Sequence, residues 1–184
     1  AVLGTYAVAS KFAELLRLVP QSLTYVLYPR YAQKGRSSAA RNARKLIPVA
    51  GALTLVGAVP LALAAGVVLP FVYGHTFAPA VLPARIIIVG LAAEGAAGVI
   101  TAFLYGAGRP GLNSLGLAVG LGMTVLLDLL LIPRLGAVGA ALASTAAYLT
   151  TTAVLAVIFW KLTRSGETGS ERIEPLEATD GDRR

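Results

Sequence analysis

The chain has no cysteine and only one histidine, one methionine and one tryptophan in 184 residues. Without cysteine there is neither a disulfide nor a thiolate metal site. His75 stands alone beside Gly74, with no second ligand within reach in the sequence, so a histidine metal centre is also excluded. Charge is scarce. Only 14% of residues are charged, against about a quarter in soluble domains. Before residue 165 the only acids are Glu14, Glu94 and Asp128. No stretch reads as a strand, so a glycine loop cradling phosphate between a strand and a helix is excluded. No nucleophile, base and orienting group fall at a recognisable spacing, and no enzyme signature is present. Nothing calls for a cofactor.

What is abundant is apolar sequence, at 56% of residues with a strongly positive mean hydropathy. Five windows are long enough to cross a bilayer, which takes about 20 residues for about 30 Å of hydrocarbon. They cover residues 3–28, 46–70, 82–106, 112–132 and 136–162. The expected architecture is an all-α membrane protein of five transmembrane helices over residues 1–164. Pro60 falls inside the second window and should kink it, which membrane helices tolerate.

The first window is the most informative. On an ideal helix, turning about 100° per residue, Ser10, Lys11, Glu14, Arg17, Gln21, Thr24, Tyr25 and Tyr28 fall on one side. Val8, Phe12, Leu15, Leu16, Val19, Leu23, Val26 and Leu27 fall on the other, and Leu18 is the one large apolar residue clearly on the polar side. Ionisable groups in a bilayer helix are costly unless they face other helices or water, so this helix should have one packing face and one wet face. Lys11, Glu14 and Arg17 are spaced for ion pairs along one helix. The same triplet can present a cation to an anionic ligand, and Arg offers phosphate a bidentate fork. Tyr25 and Tyr28 suit either sugar stacking or the interfacial aromatic belt. Lys11, Glu14, Arg17, Gln21 and Tyr25 are the candidate cavity residues.

Glu94 lies about halfway along the third window, with Gly90, Ala97, Gly98, Thr101 and Tyr105 on roughly its face. A carboxylate at that depth is costly unless a cation lies near. It is a candidate for proton or sodium coupling, or else an interhelical hydrogen bond that holds two helices together. Asp128 follows Asn113, Gly116, Gly120 and Thr124 along one face of the fourth window. It lies about four residues, or about 6 Å of rise, from that helix's end. It reads first as a packing or water-facing residue and second as an ion-coupling candidate.

Basic residues set the topology. Arg30, Lys34, Arg36, Arg41, Arg44 and Lys45 crowd the link between windows one and two. Arg109 lies between three and four, and Lys161 and Arg164 follow five. Lys and Arg in short loops favour the cytoplasm, so the chain should start outside and end inside. The net charge of +7 is explained by topology and anionic lipid headgroups. No nucleic-acid fold signature accompanies it, so nucleic acid is not expected as a partner. Residues 165–184 carry six of the nine acids and few apolar side chains, the signature of a disordered acidic cytoplasmic tail. No signal peptide is recognisable at the start, and the sequence reads as the C-terminal piece of something longer.

Four segments carry a family resemblance. Gly4-Thr5-Tyr6-Ala7-Val8-Ala9, running through Pro20 to Leu27-Tyr28-Pro29-Arg30-Tyr31, resembles the eighth helix of Wzx-type polysaccharide flippases. These belong to the multidrug/oligosaccharidyl-lipid/polysaccharide exporter superfamily. Tyr73-Gly74-His75-Thr76-Phe77-Ala78-Pro79-Ala80, Gly106-Ala107-Gly108-Arg109-Pro110 and Ile132-Pro133-Arg134-Leu135-Gly136-Ala137-Val138-Gly139-Ala140-Ala141 resemble further segments of that family in order and spacing. The resemblance covers residues 1–162 and implies the last five helices of a two-lobed transporter. It implies movement of a polyprenyl-diphosphate-linked oligosaccharide across the inner membrane by alternating access, coupled to an ion gradient or to membrane potential. Implied partners are the lipid-linked oligosaccharide, membrane lipid, the N-terminal lobe of the same protein and a polysaccharide polymerase. A multidrug antiporter or lipid II flippase of the same superfamily, a membrane enzyme of polyprenyl phosphates and a noncatalytic assembly subunit are the competing readings. An antiporter cavity for organic cations should be acidic or aromatic. A polyprenyl-phosphate enzyme would need an acidic or His-rich surface loop. The basic seam and the basic or small loops disfavour both.

Overall fold

A computed structural model describes residues 2–33 and 35–170, and among them no strand occurs. The helices are α1 (Val2–Ala13), α2 (Leu18–Gln33), α3 (Arg36–Tyr73), α4 (Val81–Ala92), α5 (Glu94–Gly106), α6 (Pro110–Leu135) and α7 (Ala137–Ser170). A 3₁₀ turn, Glu14–Arg17, joins α1 to α2, and another, His75–Ala80, leads into α4. Four stretches are long and apolar enough to cross a membrane: Ser37–Tyr73, His75–Ala92, Pro110–Leu135 and Ala137–Arg164.

The structure divides two of the five expected windows. The first is broken by the tight turn at Glu14–Arg17, one turn before Pro20. Proline inside a helix lacks an N–H and crowds the carbonyl four residues back, here that of Leu16. The chain tightens there and resumes as α2. The third is interrupted at Ala93, whose N–H bonds three residues back to the Gly90 carbonyl at 3.2 Å. Both halves pack on α3 and α7, while α4 also meets α1 and α5 meets α2; Gly90 of α4 stands against Thr145 of α7 and Gly95 of α5 against Thr54 of α3. By contrast Pro60 does not interrupt α3, which runs unbroken through Pro48, Pro60 and Pro70. That helix also takes in the basic segment from Arg36 to Lys45, expected as a loop. Of the expected acidic tail, residues 165–170 continue α7, and residues 171–184 lie outside the described residues.

Packing follows membrane logic. Large apolar side chains are on the outside, including Leu53, Val56, Leu63 and Val67 of α3 and Leu121, Leu126 and Leu129 of α6. Inside, small residues let helices approach closely. The central helix is α5, buried along most of its length. Two packed clusters result. Ala9, Phe12, Leu16, Leu69, Ile87, Ile88 and Leu91 form one. Leu27, Tyr31, Ile100, Phe103, Leu104, Leu155 and Phe159 form the other. The turn into α6 depends on Gly108 at φ +68°, a left-handed conformation that costs glycine nothing, followed by Pro110 in the first turn of α6.

Candidate functional site

Between the two clusters the helices leave a cleft of about 520 Å³, within the range of small-molecule sites. The 3₁₀ turn contributes Arg17 to its wall and α2 contributes Pro20, Gln21, Thr24 and Tyr25. From α5 come Glu94, Ala97, Gly98, Thr101 and Tyr105. Asn113, Gly120 and Thr124 of α6 and Tyr148, Thr151 and Thr152 of α7 complete it, with Leu117 and Leu121 on the α6 side. From Glu94 to Tyr105 it runs along twelve residues of α5, about 16 Å of rise.

The two interruptions meet at its deep end. Arg17, on the last residue of the tight turn, donates from Nε to Glu94 Oε2 at 2.9 Å and from Nη2 to Oε1 at 2.8 Å. Glu94 is the first residue of α5. The contact is a bidentate fork across 77 positions of sequence, among the stronger side-chain geometries. The Arg17 side chain is 35% exposed and that of Glu94 20%. The Tyr148 ring lies on another side of the guanidinium, 5.4 Å from its carbon to the ring centroid, within cation–π range.

Polar side chains continue along the cleft. The Thr24 hydroxyl lies 2.9 Å from the Pro20 carbonyl and 3.0 Å from that of Gly98, tying α2 to α5. Asn113 accepts from Thr101 at 2.8 Å and donates to the Tyr105 hydroxyl at 3.1 Å, tying α6 to α5. Among the described residues Thr152 Oγ1 is the buried side-chain polar atom left without a hydrogen-bond partner. Gln21, Tyr25, Leu117 and Leu121 are exposed and form the rim.

Of the residues singled out from sequence, Arg17, Gln21, Tyr25 and Glu94 come together in this cleft. Lys11 and Glu14 do not line it. The cleft begins at Arg17, and Lys11 lies six residues, or about 9 Å, further up the helix. There Lys11 Nζ pairs with Glu14 at 2.8 Å, with side chains 73% and 40% exposed. The seam expected to be basic is therefore two closed ion pairs, Lys11–Glu14 and Arg17–Glu94, and its charges cancel. Replacing Lys11 by Ala is expected to change stability by less than about 1 kcal/mol, because exposed pairs contribute little. Thermal unfolding in detergent checks this, and a larger loss would show that Lys11 does more than pair with its neighbour. Asp128 is partly buried one turn past Thr124, also off the cleft. Tyr28 packs edge-on against Tyr105, with ring centroids 6.2 Å apart. Gly90 packs on Thr145 of α7 and does not line the cleft.

Sequence reasoning missed Tyr148, Thr151 and Thr152. The signal was present: Tyr148 and three successive threonines, Thr150 to Thr152, interrupt an apolar stretch. Among the described residues no group of three or more His, Cys, Asp or Glu comes together to hold a metal ion. Comparison of the chain with protein-family models, curated proteins and solved structures gives no significant match.

Proposed function

We propose that this chain is the C-terminal part of a transporter that moves a polyprenyl-diphosphate-linked oligosaccharide across the inner membrane by alternating access. In this reading α1 and α2 together form a fifth crossing and the C-terminus is cytoplasmic. The observation that carries the reading is the cleft itself: an open, largely apolar space between apolar helices whose wall carries several hydroxyls, an amide and a charged pair. Packed membrane interiors keep such groups for solute paths or tight interhelical bonds. Hydroxyl and amide groups from four elements suit sugar hydroxyls, while Tyr25, Tyr105 and Tyr148 offer faces for sugar rings. The guanidinium is the one cationic group on the cleft wall, and it suits phosphate. The volume accommodates a headgroup rather than a whole glycan, so the exposed rim at Gln21, Tyr25, Leu117 and Leu121 would face a second lobe of the same transporter.

In the complete transporter, Arg17→Gln and Glu94→Gln are each expected to lower surface glycan at least about tenfold, equivalent to about 1.4 kcal/mol. Lys11→Ala should leave it within about twofold. Glycan and membrane protein levels are measured together. Normal export by both cleft variants at normal protein levels would overturn the proposal. The cancelled charge of the seam and the three tyrosines also favour, as a second reading, an exporter of organic cations. Loss of drug resistance with intact glycan in the same variants would select it.

A further inference from the structure

The anion-binding group and the cation-coupling group expected from sequence are bonded to each other. Arg17 spends its Nε and Nη2 donors on the two Glu94 oxygens, the same edge of the guanidinium that a phosphate would grip in bidentate fashion. Resting on the transporter reading, we propose that Arg17 and Glu94 form one exchange site, where a phosphate group takes Arg17 only as a proton takes Glu94.

The argument is one of charge and solvation. An anion arriving at Arg17 while Glu94 is ionised must displace a carboxylate that is only 20% exposed. That carboxylate would then stand desolvated and unpaired beside a second negative charge. Both terms oppose the ionised form. A proton on Glu94 removes both. The carboxyl group no longer competes for the fork, and the site holds one cation and one anion before and after the exchange. Among the described residues Arg17 is the cation paired with Glu94. Besides each other, the ionisable groups that act on the pair are Glu14 on the same turn and Tyr148 on α7, neither of them basic. On the α3 side the residue packed at this point is Thr54, against Gly95, and the α6 wall contributes Asn113 and Thr124. Neither helix places a charge there. Geometry permits the exchange, because the Arg17 side chain is 35% exposed and on the cleft wall, so an anion can approach without unpacking a helix.

Linkage then fixes the sign. Binding of the anion takes up one proton, so affinity rises as pH falls, by up to about tenfold per pH unit. The test uses the full chain in detergent and UDP-glucose, a diphosphate diester bearing a sugar whose phosphate charge is constant across the pH range used. Titration calorimetry in two buffers of different ionisation enthalpy counts the protons. Wild type is expected to bind more tightly at low pH with uptake of about one proton per ligand. Glu94→Gln should bind at least as tightly, with no pH dependence and no proton uptake. Arg17→Gln should bind at least about tenfold more weakly at every pH. The Arg17→Gln/Glu94→Gln double variant, which leaves no unpaired charge, confirms that weak binding is not misfolding. Binding to wild type that is flat with pH, or that follows sodium instead, overturns the exchange site and leaves the transporter reading standing. Absence of binding in every variant overturns Arg17 as the phosphate group. Only normal glycan export by the Arg17 and Glu94 variants overturns the transporter reading itself.

Discussion

Replacing Arg17 alone by methionine is expected to destabilise the bundle by about 2–4 kcal/mol, between the near-zero value of an exposed pair and the 3–5 kcal/mol of a fully buried one. The reason is what it leaves behind. Glu94 is held at the start of α5 with its side chain 20% exposed, and Arg17 is the partner of both its oxygens. Glu94→Gln should cost less, about 1–2 kcal/mol, because Arg17 is more exposed and keeps the Tyr148 face. The double variant Arg17→Met/Glu94→Gln is expected within about 1 kcal/mol of wild type, since a buried pair replaced as a unit is often neutral. Reversible unfolding in mixed micelles gives all three values and closes a double-mutant cycle. A double variant as unstable as the sum of the singles would mean that the two side chains do not depend on each other.

Each half of this pair was legible in the sequence and the pairing was not. Arg17 and Glu94 stand out because charge is so rare in the spans, and helical periodicity puts each on a definite face. Periodicity is a local signal. It brought together Gln21 and Tyr25 with Arg17, and Ala97, Thr101 and Tyr105 with Glu94, because these lie within one helix. It says nothing about which helix faces which across 77 residues. Lys11 was drawn onto the cavity face by angle alone, whereas depth along the axis and the nearer carboxylate of Glu14 decide where it sits. The tight turn before Pro20 has a local cause that sequence shows. The interruption at Ala93 has no such local cause; it falls where the packing changes, α4 meeting α1 and α5 meeting α2 beside the helices α3 and α7 that both contact. Tyr148, Thr151 and Thr152 were readable as polar residues in an apolar stretch, but only the packing of α7 turns them toward the cleft.

The seating of α5 predicts a second loss of stability. A Cβ at Gly95 would overlap Thr54 Oγ1 and stand 2.6 Å from the Ala50 carbonyl oxygen. Real contacts of that kind do not occur, and the backbone oxygen cannot rotate away. Gly95→Ala is therefore expected to cost about 1–3 kcal/mol, as overpacking usually does, and Gly95→Leu to prevent α3 and α5 from assembling. Trimming the partner should help only in part. Gly95→Ala/Thr54→Ala removes the hydroxyl overlap and leaves the carbonyl contact, so it should fall between Gly95→Ala and wild type. Gly122 on α6 provides the contrast, because nothing lies within 4 Å of its would-be Cβ. Gly122→Ala should be neutral or stabilising by up to about 1 kcal/mol through helix propensity. Thermal unfolding of the four variants in one detergent orders them. Because Gly95 follows Glu94 directly, lifting α5 off α3 also moves the carboxylate away from Arg17, so Gly95→Ala should weaken the coupling energy of that pair as well as the fold. A Gly95→Ala protein with wild-type stability and an unchanged Arg17–Glu94 coupling would show that α5 does not pack on α3 at this point, and that the cleft's deep end is built differently.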